Sequence, residues 1–125
     1  MSYERGGSPL LDRTRQFALR VIRMYSALPK STLAQVLGKQ VLRSGTSVGA
    51  NFREASRSRS KSEFLSKIGD CLKELDETAY WLTLLAESGV ISPAKLASLR
   101  EECDQILAIM TAISKTTKKT LSQKP

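Results

Sequence analysis

The chain of 125 residues contains no histidine. That absence removes serine-histidine and cysteine-histidine catalysis, the Glu-x-x-His ligand pattern of di-iron bundles and every mixed Cys/His zinc site. Cysteine is nearly as scarce. Cys71 and Cys103 are the only two, too few for a structural zinc site, and each falls on an apolar stripe where a reduced, buried thiol is the ordinary outcome. With four prolines and seven glycines, and with Ala, Leu, Lys, Arg, Ser and Glu dominant, the chain favours an all-helical fold. No apolar run approaches the roughly 18 residues of a membrane span, and "MSYERGGSPL" lacks the apolar core of a signal peptide. No glycine-rich loop ending in Lys-Ser/Thr follows a strand to cradle phosphate. The expectation is a cytoplasmic, non-enzymatic protein with no cofactor, no metal and no membrane partner.

What the chain has in abundance is positive charge, +8 overall and unevenly placed. Residues 1–62 carry 12 Lys and Arg against 3 Asp and Glu, whereas residues 63–125 carry 8 against 9. A half-chain at +9 beside one at −1 points to a polyanion partner, with nucleic acid ahead of acidic lipid; a merely solubilising surface is the plainer alternative.

Punctuation and period divide the chain into four helices. Ser8-Pro9 reads as a cap followed by proline at the first helical position, opening a helix that buries Leu10, Thr14, Phe17, Val21, Met24 and Leu28 and stops at Pro29. Ser31 or Thr32 caps the second, with a stripe of Leu33, Leu37, Val41, Ser44, Val48, Phe52 and Ala55. Ser60-Lys61-Ser62-Glu63 has capping-box spacing, in which a serine and a glutamate each satisfy a free backbone N–H, and starts the third helix. Phe64, Ile68, Cys71, Leu75, Thr78, Leu82 and Leu85 form its stripe, and Gly89 is a natural stop. Ser92-Pro93 repeats the opening device, and Leu96, Leu99, Cys103, Ile106, Met110 and Ile113 then step by three and four. Short connections predict an all-α, antiparallel up-down-up-down four-helix bundle over residues 1–118, with 119–125 a flexible basic tail and fraying expected from Lys115.

The second helix carries poor helix formers in "RSGTSVGANFREASRS". Gly45 and Gly49 lie four apart on one face and serve either close packing within the chain or a second subunit. Antiparallel alignment about residue 59 sets Ser44 near Glu74 and Ser47 near Cys71. A polar network of Arg43, Ser44, Ser47, Asn51 and Glu74 is therefore expected, Glu74 accepting from Ser44 or Arg43. Asp70, Glu74 and Glu77 share a helical face, but this structural role outweighs cation binding or acid-base chemistry. Trp81 reads as core or a subunit contact, and Tyr80 as a candidate for an interface.

Gln40, Arg43-Ser44, Thr46-Ser47, Asn51, Arg53-Glu54-Ala55, Glu63-Phe64, Lys67, Glu74, Asp76-Glu77 and Tyr80-Trp81-Leu82 together resemble the bacterial four-helix bundle protein family. Its members include proteins encoded in intervening sequences of large-subunit ribosomal RNA genes, and it is related to the accessory variability determinant proteins of diversity-generating retroelements. The resemblance covers helices two and three well, and helices one and four by pattern and length. It implies a left-handed bundle assembling as a homopentameric ring whose basic surface binds nucleic acid; the retroelement members also bind their reverse transcriptase.

Composition and resemblance together predict an oligomeric bundle that binds RNA or DNA without strong sequence specificity. Phosphate contacts fall to Arg53, Arg57, Arg59 and Lys61, which cluster around one turn, with Arg13, Arg20 and Arg23 as extensions. A scaffold or adaptor for another protein, such as a polymerase, is the alternative, and salt dependence separates the two.

Overall fold

The structure, a computed structural model, describes residues 8–122. Four helices follow one another: α1 Ser8–Ser26, α2 Thr32–Ser56, α3 Lys61–Glu87 and α4 Pro93–Ser122. Side-chain chemistry sets most of the boundaries. Ser31 Oγ accepts from Ala34 N–H at 3.2 Å to start α2, and Ser60 Oγ accepts from Glu63 N–H at 3.0 Å to start α3. Glu63 Oε1 reaches back to Arg59 N–H at 3.1 Å, which completes the reciprocal cap one residue before its usual position. Pro93 opens α4 behind Ser92, and α3 ends before Gly89, whose φ of +79° is left-handed and favours glycine. The side chain of Ser8, the expected cap of α1, lies outside the described residues, as do residues 1–7 and 123–125.

Each helix packs against its sequence neighbours with reversed direction, and α4 returns to α1 through sparser contact. Two ends result. The α2–α3 turn, the start of α1 and the end of α4 share one pole; the α1–α2 and α3–α4 turns share the other. Between them lies a single core that includes Phe17, Val21, Val41, Val48, Ile68, Leu75, Leu82, Leu85, Ile106 and Met110, all fully buried. Each large apolar side chain of this set contributes roughly 1.5–3 kcal/mol by leaving water.

The stripe of α3 is buried at all seven predicted positions, while the other helices show where pattern alone misleads. In α2, Leu33 is 52% exposed and the inward position belongs to Ala34. A Cβ on Gly38 would lie 2.4 Å from Leu28 Cδ1 in the α1–α2 connection and 3.0 Å from Tyr25 Cδ1 of α1, so the face toward α1 runs through small residues. Along α4, Ser114 is buried and Ile113 only half-buried. Steps of three and four drift against a 3.6-residue turn, and by the sixth the inward direction has moved on by one residue. Fraying was expected from Lys115. α4 stays helical to Ser122, with the hydroxyls of Thr117 and Thr120 donating to carbonyls one turn earlier. Met24, predicted inward on α1, is half-buried.

Gly45 faces α1. A Cβ there would meet Val21 Cγ2 at 2.9 Å, and one on Gly49 would lie 3.4 Å from the Thr14 carbonyl oxygen. Of the two readings of these glycines, the geometry is that of close packing within the chain.

Candidate nucleic-acid interface

The α2–α3 turn is built so that its cations point outward. Arg57 N–H donates to Glu54 O at 3.1 Å and Ser58 N–H to Ala55 O at 3.0 Å, closing α2. Ser58 then turns inward and is 3% exposed, with no hydrogen-bond partner for its hydroxyl among the described residues. Burying Ser58 leaves Arg57 and Arg59 on either side of it, both exposed. Arg53 is exposed one turn earlier on α2, and Lys61 is half-buried at the start of α3. Among the described residues none of these four side chains takes part in an ion pair. Of the two nearby carboxylates, Glu63 is turned to the Arg59 backbone N–H as a helix cap, and Glu54 is taken by Lys67 at 2.7 Å, which raises the Lys67 pKa chiefly through that hydrogen bond. Antiparallel topology brings the exposed Lys115, Lys118 and Lys119 of α4 to the same pole. The result is a concentration of unneutralised positive charge at one end of the bundle.

The predicted extensions along α1 fare differently. Arg13 spans to α4, its Nε and Nη2 each donating at 2.8 Å to the two Glu102 oxygens, with Gln105 Oε1 also at 2.8 Å. This fork raises the Arg13 pKa and holds the Glu102 carboxyl below its usual range. Arg20 donates to Ser98 Oγ at 2.8 Å. Arg23 is exposed but lies toward the opposite pole. Arg13 and Arg20 thus stitch α1 to α4, whereas the turn cluster stands free. Arg15, absent from the predicted set, sits across from the end of α2 and lines a groove with Arg53 and Arg57. A fold-back centred near residue 32, the register in which Thr14 meets Gly49, is the signal that finds it.

The polar network divides into a buried pair and an exposed fork. Thr78 Oγ1 lies 2.8 Å from Ser44 Oγ, and Ser44 donates to Gln40 O at 2.9 Å, so both hydroxyls are satisfied inside the core. Glu74 does not serve Ser44. It receives Arg43 Nη1 at 3.4 Å, while Arg43 Nη2 binds Glu77. Arg43 keeps the Glu77 carboxyl below its usual range, first by hydrogen bonding, and its own pKa is raised in return. Ser47 donates to Arg43 O at 2.7 Å, and half-buried Asn51 makes no side-chain hydrogen bond among the described residues. Cys71 and Cys103 are free and buried, and burial pushes each thiol up to about 12. Their Sγ atoms face the carbonyls of Val48 and Leu75 at 3.7 and 3.5 Å.

On α3, Tyr80 is 57% exposed and meets Trp81 edge to face with ring centroids 5.1 Å apart. The buried Trp81 Nε1 forms no hydrogen bond of good geometry among the described residues, although the indole sits near enough to Glu77 to help hold that carboxylate charged. Among the described residues no three His, Cys, Asp or Glu side chains gather where they would hold a metal ion. None of the described helices is long and apolar enough to cross a membrane.

Helix order, antiparallel packing and a single core define an all-α four-helix bundle with one strongly basic pole. The chain belongs to the 23S rRNA-intervening sequence protein family, whose pattern matches residues 9–112. No curated protein matches its sequence. Among solved structures it is similar to a protein of unknown function from the S23 ribosomal protein family of Bacteroides thetaiotaomicron VPI-5482. The two are 37% identical with a TM-score of 0.80, over 85% of this chain and 98% of that one.

Proposed function

We propose that this protein is a non-enzymatic, oligomeric bundle that binds RNA or DNA through phosphate contacts at its basic pole, without strong sequence specificity. One observation carries the reading: Arg53, Arg57, Arg59 and Lys61 gather at one turn with no ion-pair partner among the described residues, while Glu54 beside them is occupied by Lys67. Exposed guanidinium groups on a hydrogen-bonded turn are suited to phosphate oxygens, which fix position but carry no sequence information. The family's description concerns intervening sequences of 23S rRNA, which puts RNA first among the polyanions to test.

Reversing Arg57 and Arg59 to Glu weakens binding to unrelated sequences by similar factors while fold and assembly survive, because both side chains are exposed. For every phosphate no longer neutralised, the log-log salt slope also falls by roughly 0.7–0.9. Fluorescence anisotropy with labelled RNA and duplex DNA over a salt series reads both. Wild-type protein that binds neither at low salt overturns the proposal.

A second reading, a protein-binding scaffold, draws on the exposed Leu19, Ile22, Leu33, Val36 and Tyr80. An apolar contact of that kind would hold as salt rises, where phosphate binding falls steeply.

A further inference from the structure

Where α1 and α2 approach the basic pole, their outer faces part to leave a groove of about 540 Å³. Its origin lies in small residues. Gly49 lets the two backbones come close, and Ala18 on α1 and Ala50 on α2 face the gap without filling it. Leu11 extends this apolar floor, and three guanidinium groups surround it: Arg15 from α1, Arg53 and Arg57 from α2. One carboxylate, Asp12, also lines the groove, but Arg15 holds it at 2.5 Å. The remaining two arginines have no ion-pair partner among the described residues, so the rim is net positive over an apolar floor.

We infer that this groove is a subsite for an unpaired nucleotide of single-stranded nucleic acid. The inference rests on the nucleic-acid reading and sharpens it, since the pole by itself attracts any phosphate chain. The volume falls within the range of about 300–1,000 Å³ typical of small-ligand sites. An apolar floor has no use for phosphate, yet it suits the face of a base. Arginine planes beside it offer stacking, hydrogen bonds and charge to the flanking phosphates. Bases in a duplex are stacked inward and cannot enter, whereas an unpaired one is free to splay out. From the groove, Arg57 leads directly to Arg59 and Lys61, so a strand seated here continues along the turn.

Ala50→Leu tests the assignment without altering charge, because Ala50 is exposed and leucine is a good helix former. Anisotropy titrations compare one short labelled sequence as a single strand and as a duplex, with thermal melting confirming that the variant is folded. Ala50→Leu is expected to weaken single-strand binding by about tenfold, within the range for unstacking one base, and to leave duplex binding unchanged. Arg15→Gln removes a cation and releases Asp12, so it weakens both forms, the single strand by the larger factor. Unchanged single-strand binding in both variants overturns the groove while leaving the pole standing, and equal losses on both strands overturn its preference for unpaired bases. Should the wild type bind neither form, both readings fall together.

Discussion

Gly45 lacks a side chain because Val21 occupies the space. Alanine normally gains about 1 kcal/mol over glycine inside a helix, but here its Cβ would lie 2.9 and 3.1 Å from the two methyls of a fully buried valine. Overpacking of this kind costs about 1–3 kcal/mol. Gly69, where an added Cβ would meet nothing within 4 Å, is the control. Gly45→Ala is expected to lower the urea midpoint and Gly69→Ala to raise it, the latter by about 0.5–1 kcal/mol in stability. Matching rises in both would mean that Val21 has room to move. The sequence made the two glycines of α2 visible as a face but left their partner open, since a missing side chain does not say what fills its place. Cysteine was easier to read: both thiols stood on apolar stripes, and burial follows from that position.

Two seams hold the helices together through carboxylates. α4 is joined to α1 by Glu102 and Arg13, and α3 to α2 by Glu77 and Arg43. Both carboxyl groups are held below the ordinary range near pH 4 by their arginines. Their stabilising contribution is therefore complete above that range and disappears as pH falls through the lowered native values. Thermal midpoints should be level through neutral pH, where no histidine titrates, and then decline below about pH 4. In Arg13→Ala the acid-dependent part of that decline shrinks, by less than about 1 kcal/mol because Arg13 is partly exposed. A wild-type midpoint that stayed level to about pH 2 would show that these seams add nothing. Helix limits were legible because caps and prolines are local chemistry, and so were the exposed arginines of a turn flanked by a cap. Partners were not. Nothing near Arg13 or Arg20 in the sequence points to Glu102 or Ser98, and the groove exists only once Arg15 is set across from Ala50. Leu33 misled because hydrophobicity at a helix's first turn does not reveal how closely its neighbour approaches.

For the molecule as a whole, the proposed homopentameric ring has a direct measure. Light scattering on purified protein should return about five times the 13.8 kDa chain mass. A mass of one chain, unchanged with concentration, removes the ring. The polarity of the bundle also governs how such experiments are prepared. α1 begins and α4 ends at the basic pole, so an affinity tag or fluorophore appended to either end is anchored beside the surface under test. Its bulk or charge would then compete with whatever docks there. The α3–α4 turn around Ser88 and Gly89, exposed at the far pole, is the better place for a label, with the whole length of the helices between reporter and ligand.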